Sequence, residues 1–360
     1  MFTEIEERII QYARNPVNGP NIVVIGGGTG LSTVLRGLKL FSNNLTAIVT
    51  VADNGGSSGM LREDLGMLPP GDIRNCILAL ADAEPLMSDL LNYRFSEGRL
   101  KGQNFGNLLI AAMDAISDNF YDAVRNVSKV LAVKGRVLPV SLQNIQIGAH
   151  LRDGTVINGE SEIGQRKEIL DNEIVRIFME PEKARALPEA IQALFAADVI
   201  VIGPGSLYTS IIPNLLFSEI QTAIEHSQAV KIYVCNLMTQ PAETFGYTAA
   251  QHLKAILSHL ERETSESFID YCIVNNAWID RRLIARYRLE SATPVLAERA
   301  SVETLGPKMI DVPLASVNNG TIRHDYMLLA RVILRLWLER GRRSSHKPLT
   351  QQIKTEGTLT

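Results

Sequence analysis

Residues 26–32 read Gly-Gly-Gly-Thr-Gly-Leu-Ser (GGGTGLS), directly after the apolar run Asn21-Ile22-Val23-Val24-Ile25. The next segment, Leu31 to Leu40, has helical spacing. Strand, glycine turn and helix in that order make a phosphate-holding unit. The glycines let the backbone turn and approach a ligand closely, and the first N–H groups of the helix point at the anion. Thr29 and Ser32 add hydroxyl donors. The wording excludes two familiar loops. A G-x-G-x-x-G fingerprint starting at Gly26 needs glycine at position 31, which is Leu31, and no Gly-Lys-Ser/Thr follows to make a Walker A loop. A tubulin-type glycine loop would continue to a further glycine where this chain has Leu31-Ser32.

Beyond this loop, five short runs share the character of residues 21–25. They are NIVVI (21–25), LTAIVTV (45–51), DVIVI (198–202), KIYVC (231–235) and FIDYCIV (268–274). Rich in Val and Ile and without strict alternation, they suit strands covered on both faces of a parallel sheet. Helical patterns at 31–40, 73–81, 108–116 and 245–260 lie between several of them. The expected fold is a doubly wound, Rossmann-like α/β sheet, mostly parallel. Residues 136–180 differ. Asp153-Gly154 is a hairpin signal between partly alternating runs, which predicts a small antiparallel β insertion. Residues 1–20 read as an N-terminal helical extension ending near Pro16, residues 21–337 as the main α/β domain, and the polar residues 338–360 as a disordered tail.

Composition narrows the function classes. With 46% hydrophobic residues in 360, the chain can bury a large core. A net charge of -3 gives no global basic field, so nucleic acid is not an expected partner. No apolar run approaches the ~20 residues needed to span a bilayer, and the start lacks signal-peptide character. The expectation is a soluble, cytoplasmic protein. Cys76, Cys235 and Cys272 form no C-x-x-C pair, which argues against a cysteine zinc site and for buried, reduced thiols.

The chemistry is carried by the loop after each strand: GGGTG, ADNGGSSG (52–59), GPGSLYTS (203–210), NLMTQPAET (236–244) and Asn275-Asn276. In an open parallel sheet ligands sit outside the carboxyl ends of the strands, so five polar loops on one edge predict a ligand site there. Asp53 comes after the second strand, where it can bind a ribose hydroxyl, hold Mg²⁺ near phosphates, or simply form an Asx-turn. Asp72 is placed to cap the helix beginning at Ile73, and Arg74 in the first turn of that helix opposes its dipole, which points to an anionic partner. Asn104 opens the helix at Leu108 as a cap, a ligand contact, or both. Arg323, in Ile322-Arg323-His324-Asp325, can pair with a phosphate or with Asp325. The six histidines give neither a Ser-His-Asp order nor a metal-type pair, and no nucleophile stands out.

Taken in order, GGGTGLS, ADNGGSSG, PPGDIRNC, GQNFGNL, GPGSLYTSIIPNLL, CNLMTQPAET, ARYRLE and IRHD resemble the YvcK-type gluconeogenesis factors, part of the wider CofD-like superfamily that includes the 2-phospho-L-lactate transferases. The similarity runs from about Asn21 to about Trp337. It implies a Rossmann-like fold and, for the YvcK branch, binding of UDP-sugars such as UDP-N-acetylglucosamine and a link to cell shape and peptidoglycan synthesis during gluconeogenic growth. The CofD branch transfers a phospholactyl group from a guanylylated donor with Mg²⁺. By this resemblance Gly27, Gly28, Thr29, Gly30, Asp53, Ser57 and Ser58 belong to the nucleotide site, with Asp53 as the metal ligand. Asp72, Asn104, Asn107, Gly205, Ser206, Tyr208, Asn236 and Arg323 complete the set. Self-association is implied by family analogy, with a protein partner of unknown identity. The chain departs from the family pattern at Asn54, where a second acid is usual, and at Phe245, where another acid is usual. Three functions therefore compete: a nucleotide-sugar-binding protein, a Mg²⁺-dependent CofD-like transferase, and, against the broken fingerprint, a dinucleotide oxidoreductase.

Overall fold

Short runs of Val and Ile without alternation are stable only when both faces of the strand are covered, and that is their setting in the computed structural model, which describes residues 4–82, 85–166, 172–261, 268–318 and 320–345. In chain order the strands are β1 (Ile22–Gly26), β2 (Leu45–Val49), β3 (Arg136–Pro139), β4 (Gln146–Leu151), β5 (Val156–Asn158) and β6 (Ile174–Glu180). They continue with β7 (Val199–Ile202), β8 (Val230–Val234), β9 (Tyr271–Asn275), β10 (Lys308–Val312), β11 (Ala315–Asn318) and β12 (Thr321–His324). Seven of them form one wholly parallel sheet in the order β10-β9-β8-β7-β1-β2-β3. Every residue of β1, β2, β7 and β8 is buried.

That order contains a topological switch point. From β1 the chain moves outward through β2 to β3; from β7 it moves the other way through β8 and β9 to β10. The register sets the strand ends level, with Gly26 opposite Val49 and Ile25 opposite Ile202. Helices leaving β1 and β7 on opposite sides open a crevice between their carboxyl ends, the preferred ligand position of such sheets.

The edges of the sheet depart from the sequence reading. Arg136–Pro139, expected to begin the insertion, pairs in parallel with β2; antiparallel pairing starts only at Gln146. β10 was not marked by its sequence, because an edge strand is covered less completely and Lys308 and Asp311 break its apolar run. The insertion itself is a three-stranded antiparallel sheet, β5-β4-β6, with its hairpin at Asp153-Gly154, where Asp153 Oδ1 accepts from Thr155 N at 2.8 Å. β11 and β12 form a separate hairpin.

Glu4–Arg14 forms a helix that docks on the C-terminal helix Tyr326–Ser345, with the Tyr12 and Trp337 rings 5.9 Å apart. Part of the expected tail belongs to this second helix: residues 338–345 continue it, and Leu338 is buried. The remainder of the expected tail, 346–360, lies outside the described residues. Among the described residues no helix is long and apolar enough to cross a membrane.

The insertion is tied down by buried polar contacts. His259 Nδ1 is 2.7 Å from Ala255 O, which fixes the tautomer, so Nε2 accepts from Ile177 N of β6 at 2.8 Å. Tyr208 Oη donates to Ile174 O at 3.4 Å. Burial lowers the pKa of His259, and it lowers His252 and His324 to about 4. A histidine held neutral in the fold contributes stability that is present above its unfolded pKa of about 6.5 and lost as pH falls through the folded value. His252 is the cleanest reporter, since its Nε2 is buried without a partner and its Nδ1 contacts only Thr248 O of its own helix. A His252→Leu variant should lose less stability than the parent between pH 6.5 and 4, in urea titrations at several pH values; parallel slopes would rule out this role.

Candidate functional site

Helix Gly28–Leu38 begins immediately after β1, with Gly28 at φ +64, a left-handed conformation that a side chain would strain. Its first turn presses against the turn after β7. A side chain at Gly30 would lie 2.4 Å from Pro204 O, so the two loops meet only because residue 30 has none. Asn236, at the end of β8, locks the second loop with two bonds: Oδ1 accepts from Gly205 N at 3.2 Å and Nδ2 donates to Gly205 O at 2.9 Å. Asn214 donates to Gly26 O at 3.1 Å and to Ser210 O at 2.8 Å, joining the end of β1 to the helical segment after β7. That segment opens as a π-turn over Leu207–Ile211, a wide-wound geometry that recurs at functional sites.

Between these loops lies a cavity of about 520 Å³, within the size range of small-molecule sites. Gly27, Gly28, Thr29 and Gly30 form one wall, and Gly205, Ser206, Thr209 and Ser210 the facing one. Asn236 and Gln240 close one end, Asp53, Asp72 and Glu160 stand on another side, and Tyr287, Glu290, Arg323 and His324 form the far rim. The start of helix Gly28–Leu38 lies on the first wall, where the Gly28 N–H is held by the Asp72 carboxylate. Gln240 Nε2 donates to Ser206 Oγ at 2.8 Å, and its buried Oε1 has no partner.

The acidic side has the strongest electrostatic character. Asp72 is not the cap expected of it: the helix starts two residues earlier than Ile73, at Gly71, and runs to Leu80 without a side-chain cap. Its carboxylate crosses to the glycine loop, where a side chain at position 27 would lie 2.5 Å from Oδ2. Burial and the neighbouring Asp53 raise the Asp72 pKa to about 6, against the pull of the Gly28 N–H and Arg74. Glu160 rises further, to about 8, through burial and then through Asp53, Glu243, Asp72 and Glu162. Asp53 Oδ1 accepts from Gly55 N at 2.8 Å, the Asx-turn its sequence allowed. Among the described residues no three His, Cys, Asp or Glu are grouped to cage a metal ion.

Of the residues singled out by sequence, Gly27, Gly28, Thr29, Gly30, Asp53, Asp72, Gly205, Ser206, Asn236 and Arg323 line this cavity. The other five stand behind it. Ser57 Oγ donates to Gln103 Oε1 at 2.8 Å and accepts from Asn104 N and Asn107 Nδ2, both at 3.1 Å. Asn104 Oδ1 caps helix Phe105–Ala115 through Asn107 N at 3.0 Å. Ser58 Oγ accepts from Gly71 N at 3.1 Å. Tyr208 is buried, its N–H given to Glu243 Oε2 at 2.8 Å and its hydroxyl 3.0 Å from that of Tyr247. Arg74, expected to meet an anion, is bound to Asn107 and Asn75, with Nε buried and unpartnered.

Glu160 was missed. It starts the short helix Glu160–Gly164 of the insertion, far in sequence from the loops it faces. Its place is set by Asn54, whose Oδ1 accepts from Ser161 N at 2.8 Å while Nδ2 donates to Glu162 Oε2 at 3.1 Å. The sequence held one signal, the amide at position 54 where an acid is usual, and this bridge is what the amide makes. Tyr287 and Glu290 lie within the ARYRLE stretch but carried no assignment.

Comparison with known proteins places this geometry in context. Residues 22–315 match the family model described as 2-phospho-L-lactate transferase CofD. The gluconeogenesis factor of Bacillus subtilis is 46% identical over 89% of this chain and 99% of its own length. That of Halalkalibacterium halodurans is 44% identical over 87% of this chain and 95% of its own. A crystal structure of a UPF0052 family member from Bacillus halodurans superposes with a TM-score of 0.83 at 44% identity, covering 88% of this chain and 99% of that one.

The crowding of carboxyls has a measurable cost. Glu160, with its pKa raised in the fold, contributes stability that is complete below its unfolded value of about 4.5 and is lost as pH rises through about 8. Glu160→Gln removes the ionisable group. The variant should gain stability over the parent from about pH 4.5 upward, levelling above pH 8 at about 1–3 kcal/mol. Denaturant titrations at pH 5 and 8.5 check this; an equal difference at both would mean that Glu160 ionises normally.

Proposed function

The chain belongs to the CofD family, among its gluconeogenesis factors, and from that premise we propose that it is a cytoplasmic protein that binds a nucleotide sugar of the UDP-N-acetylglucosamine kind. The observation that carries the reading is the meeting of two glycine loops at the switch point, with a helix N-terminus on one wall and hydroxyls on the other. A diphosphate suits that slot. The far rim, about Tyr287, Glu290 and Arg323, offers a stacking ring, an acceptor and a cation to the groups on either side of the phosphates. The identity of the sugar, the role in cell shape and peptidoglycan synthesis, self-association and action through a protein partner rest on the family resemblance.

Titration calorimetry tests this reading. UDP-N-acetylglucosamine should release heat and raise the melting temperature of the parent protein. Arg323→Ala, which removes an exposed guanidinium with no side-chain bond among the described residues, should weaken binding by about 1.5–3 kcal/mol. No heat and no thermal shift at millimolar ligand would sink the reading.

A second reading, the Mg²⁺-dependent transferase, is favoured by one specific feature: Asp72 and Glu160 both titrate near neutral pH, the range useful for proton transfer. Asp53 would hold the cation, since Mg²⁺ commonly takes one or two carboxylates together with substrate phosphates. It would supply charge neutralisation at the phosphates. Asp53→Ala should then abolish Mg²⁺-dependent release of a nucleoside monophosphate from candidate nucleoside diphosphate donors, monitored by chromatography. Unchanged release by this variant would remove Asp53 from the chemistry.

A further inference from the structure

Helix Arg281–Leu289 has two faces with different tasks. Leu283, Ile284 and Tyr287 turn inward and pack against the core, yet no residue of the helix is fully buried. Arg281, Arg282 and Arg288 turn outward, and among the described residues their side chains make no ion pair or hydrogen bond. The exposed apolar side chains stand at its two ends: Leu289, 87% exposed, is the last residue of the helix, and Trp278, 76% exposed, lies just before its first. Arg and Trp, the residue types exposed along this face, are enriched at protein interfaces.

We propose that this face docks an acidic protein partner. The charge of the face calls for carboxylates, and its two large apolar side chains, one at each end, call for apolar groups flanking those carboxylates. A polyphosphate chain fits less well, because Asp280, Glu290 and Glu298 are interleaved with the arginines and the protein as a whole carries a net charge of -3. Discrete carboxylates on a folded or peptide partner can be placed between those acids; an evenly charged backbone cannot.

The same helix also touches the cavity. Tyr287 lines it, and its hydroxyl accepts from Ile322 N at 3.0 Å. Arg286 donates to Gly320 O. Through these bonds the helix holds the β11–β12 hairpin that carries Arg323. A partner gripping the outer face and a ligand filling the cavity therefore act on one element, and coupling between them is reciprocal. This coupling rests on the nucleotide-sugar reading; the docking face does not.

The full chain can be titrated into a fluorescein-labelled peptide of alternating Glu and Leu, read by anisotropy and by Trp278 emission. Binding is expected for this peptide and not for its Gln-Leu counterpart. Arg281→Glu/Arg288→Glu should weaken it by about tenfold or more with an unchanged melting temperature. Arg125→Glu/Lys129→Glu, on a distant helix, should leave it unchanged. No binding, equal binding by the reversed pair, or tighter binding of single-stranded RNA or phosphatidylserine vesicles would overturn the proposal. UDP-N-acetylglucosamine should shift the peptide affinity by about fivefold or more. Calorimetric heat without that shift overturns the coupling. Absence of any heat removes the ligand reading, while peptide binding that is lost on charge reversal still supports the docking face.

Discussion

The contact between Gly30 and the carbonyl of Pro204 is the constraint on which the rest of the site depends. Helix Gly28–Leu38 and the turn after β7 leave neighbouring strands at the switch point, and ordinary residues would hold them apart. With 2.4 Å between a notional side chain at position 30 and Pro204 O, only glycine allows the backbones to close. Once closed, the first-turn N–H groups and the hydroxyls of Ser206, Thr209 and Ser210 share one cavity. Asn236 and Asn214 then hold this arrangement from behind, using side-chain amides where regular secondary structure has ended.

The second constraint is electrostatic, and it works against the fold. Three carboxyls stand beside the glycine loops, and two of them, Asp72 and Glu160, are pushed toward neutral pH by burial and by the neighbouring Asp53. A protein selected for stability alone would not place them there. Native proteins tolerate such local conflict where a ligand resolves it. The insertion contributes Glu160 to this conflict and is anchored accordingly, through Asn54 on one side and the buried His259 and Tyr208 contacts on the other.

Much of this was legible in the sequence, for identifiable reasons. Strands covered on both faces announce themselves as unbroken Val and Ile, so β1, β2, β7, β8 and β9 could be read, and the polar loops at their ends point to the edge of the sheet where the cavity lies. Edge strands announce themselves poorly. β10 carries Lys308 and Asp311, and β3 was absorbed into the insertion because its short run does not reveal its partner. Within the site, polarity alone could not separate residues that face the cavity from residues that support it. Ser57, Asn104 and Asn107 read like Ser206 and Asn236, but their hydrogen bonds are spent on each other and on a helix start. Glu160 had no signal among its own sequence neighbours, only the amide at position 54, because its role arises from the docking of a distant hairpin.

Whether the cavity holds or transforms its ligand turns on which titratable groups have free capacity. His324 lines it, but burial keeps its pKa at about 4 and Nε2 is committed to Cys235 O at 3.2 Å, so it is poorly matched to proton transfer at neutral pH. Asp72 and Glu160 are better matched by pKa, yet the same shifts serve binding equally well. Glu160, which keeps its proton near neutrality, does not repel a phosphate and can donate a hydrogen bond to it. Burial and mutual repulsion thus account for both acids without requiring a reaction. The glycine loops and facing hydroxyls suit an anion, whereas proton transfer finds only Asp72 and Glu160, and the proposed binding reading therefore takes precedence.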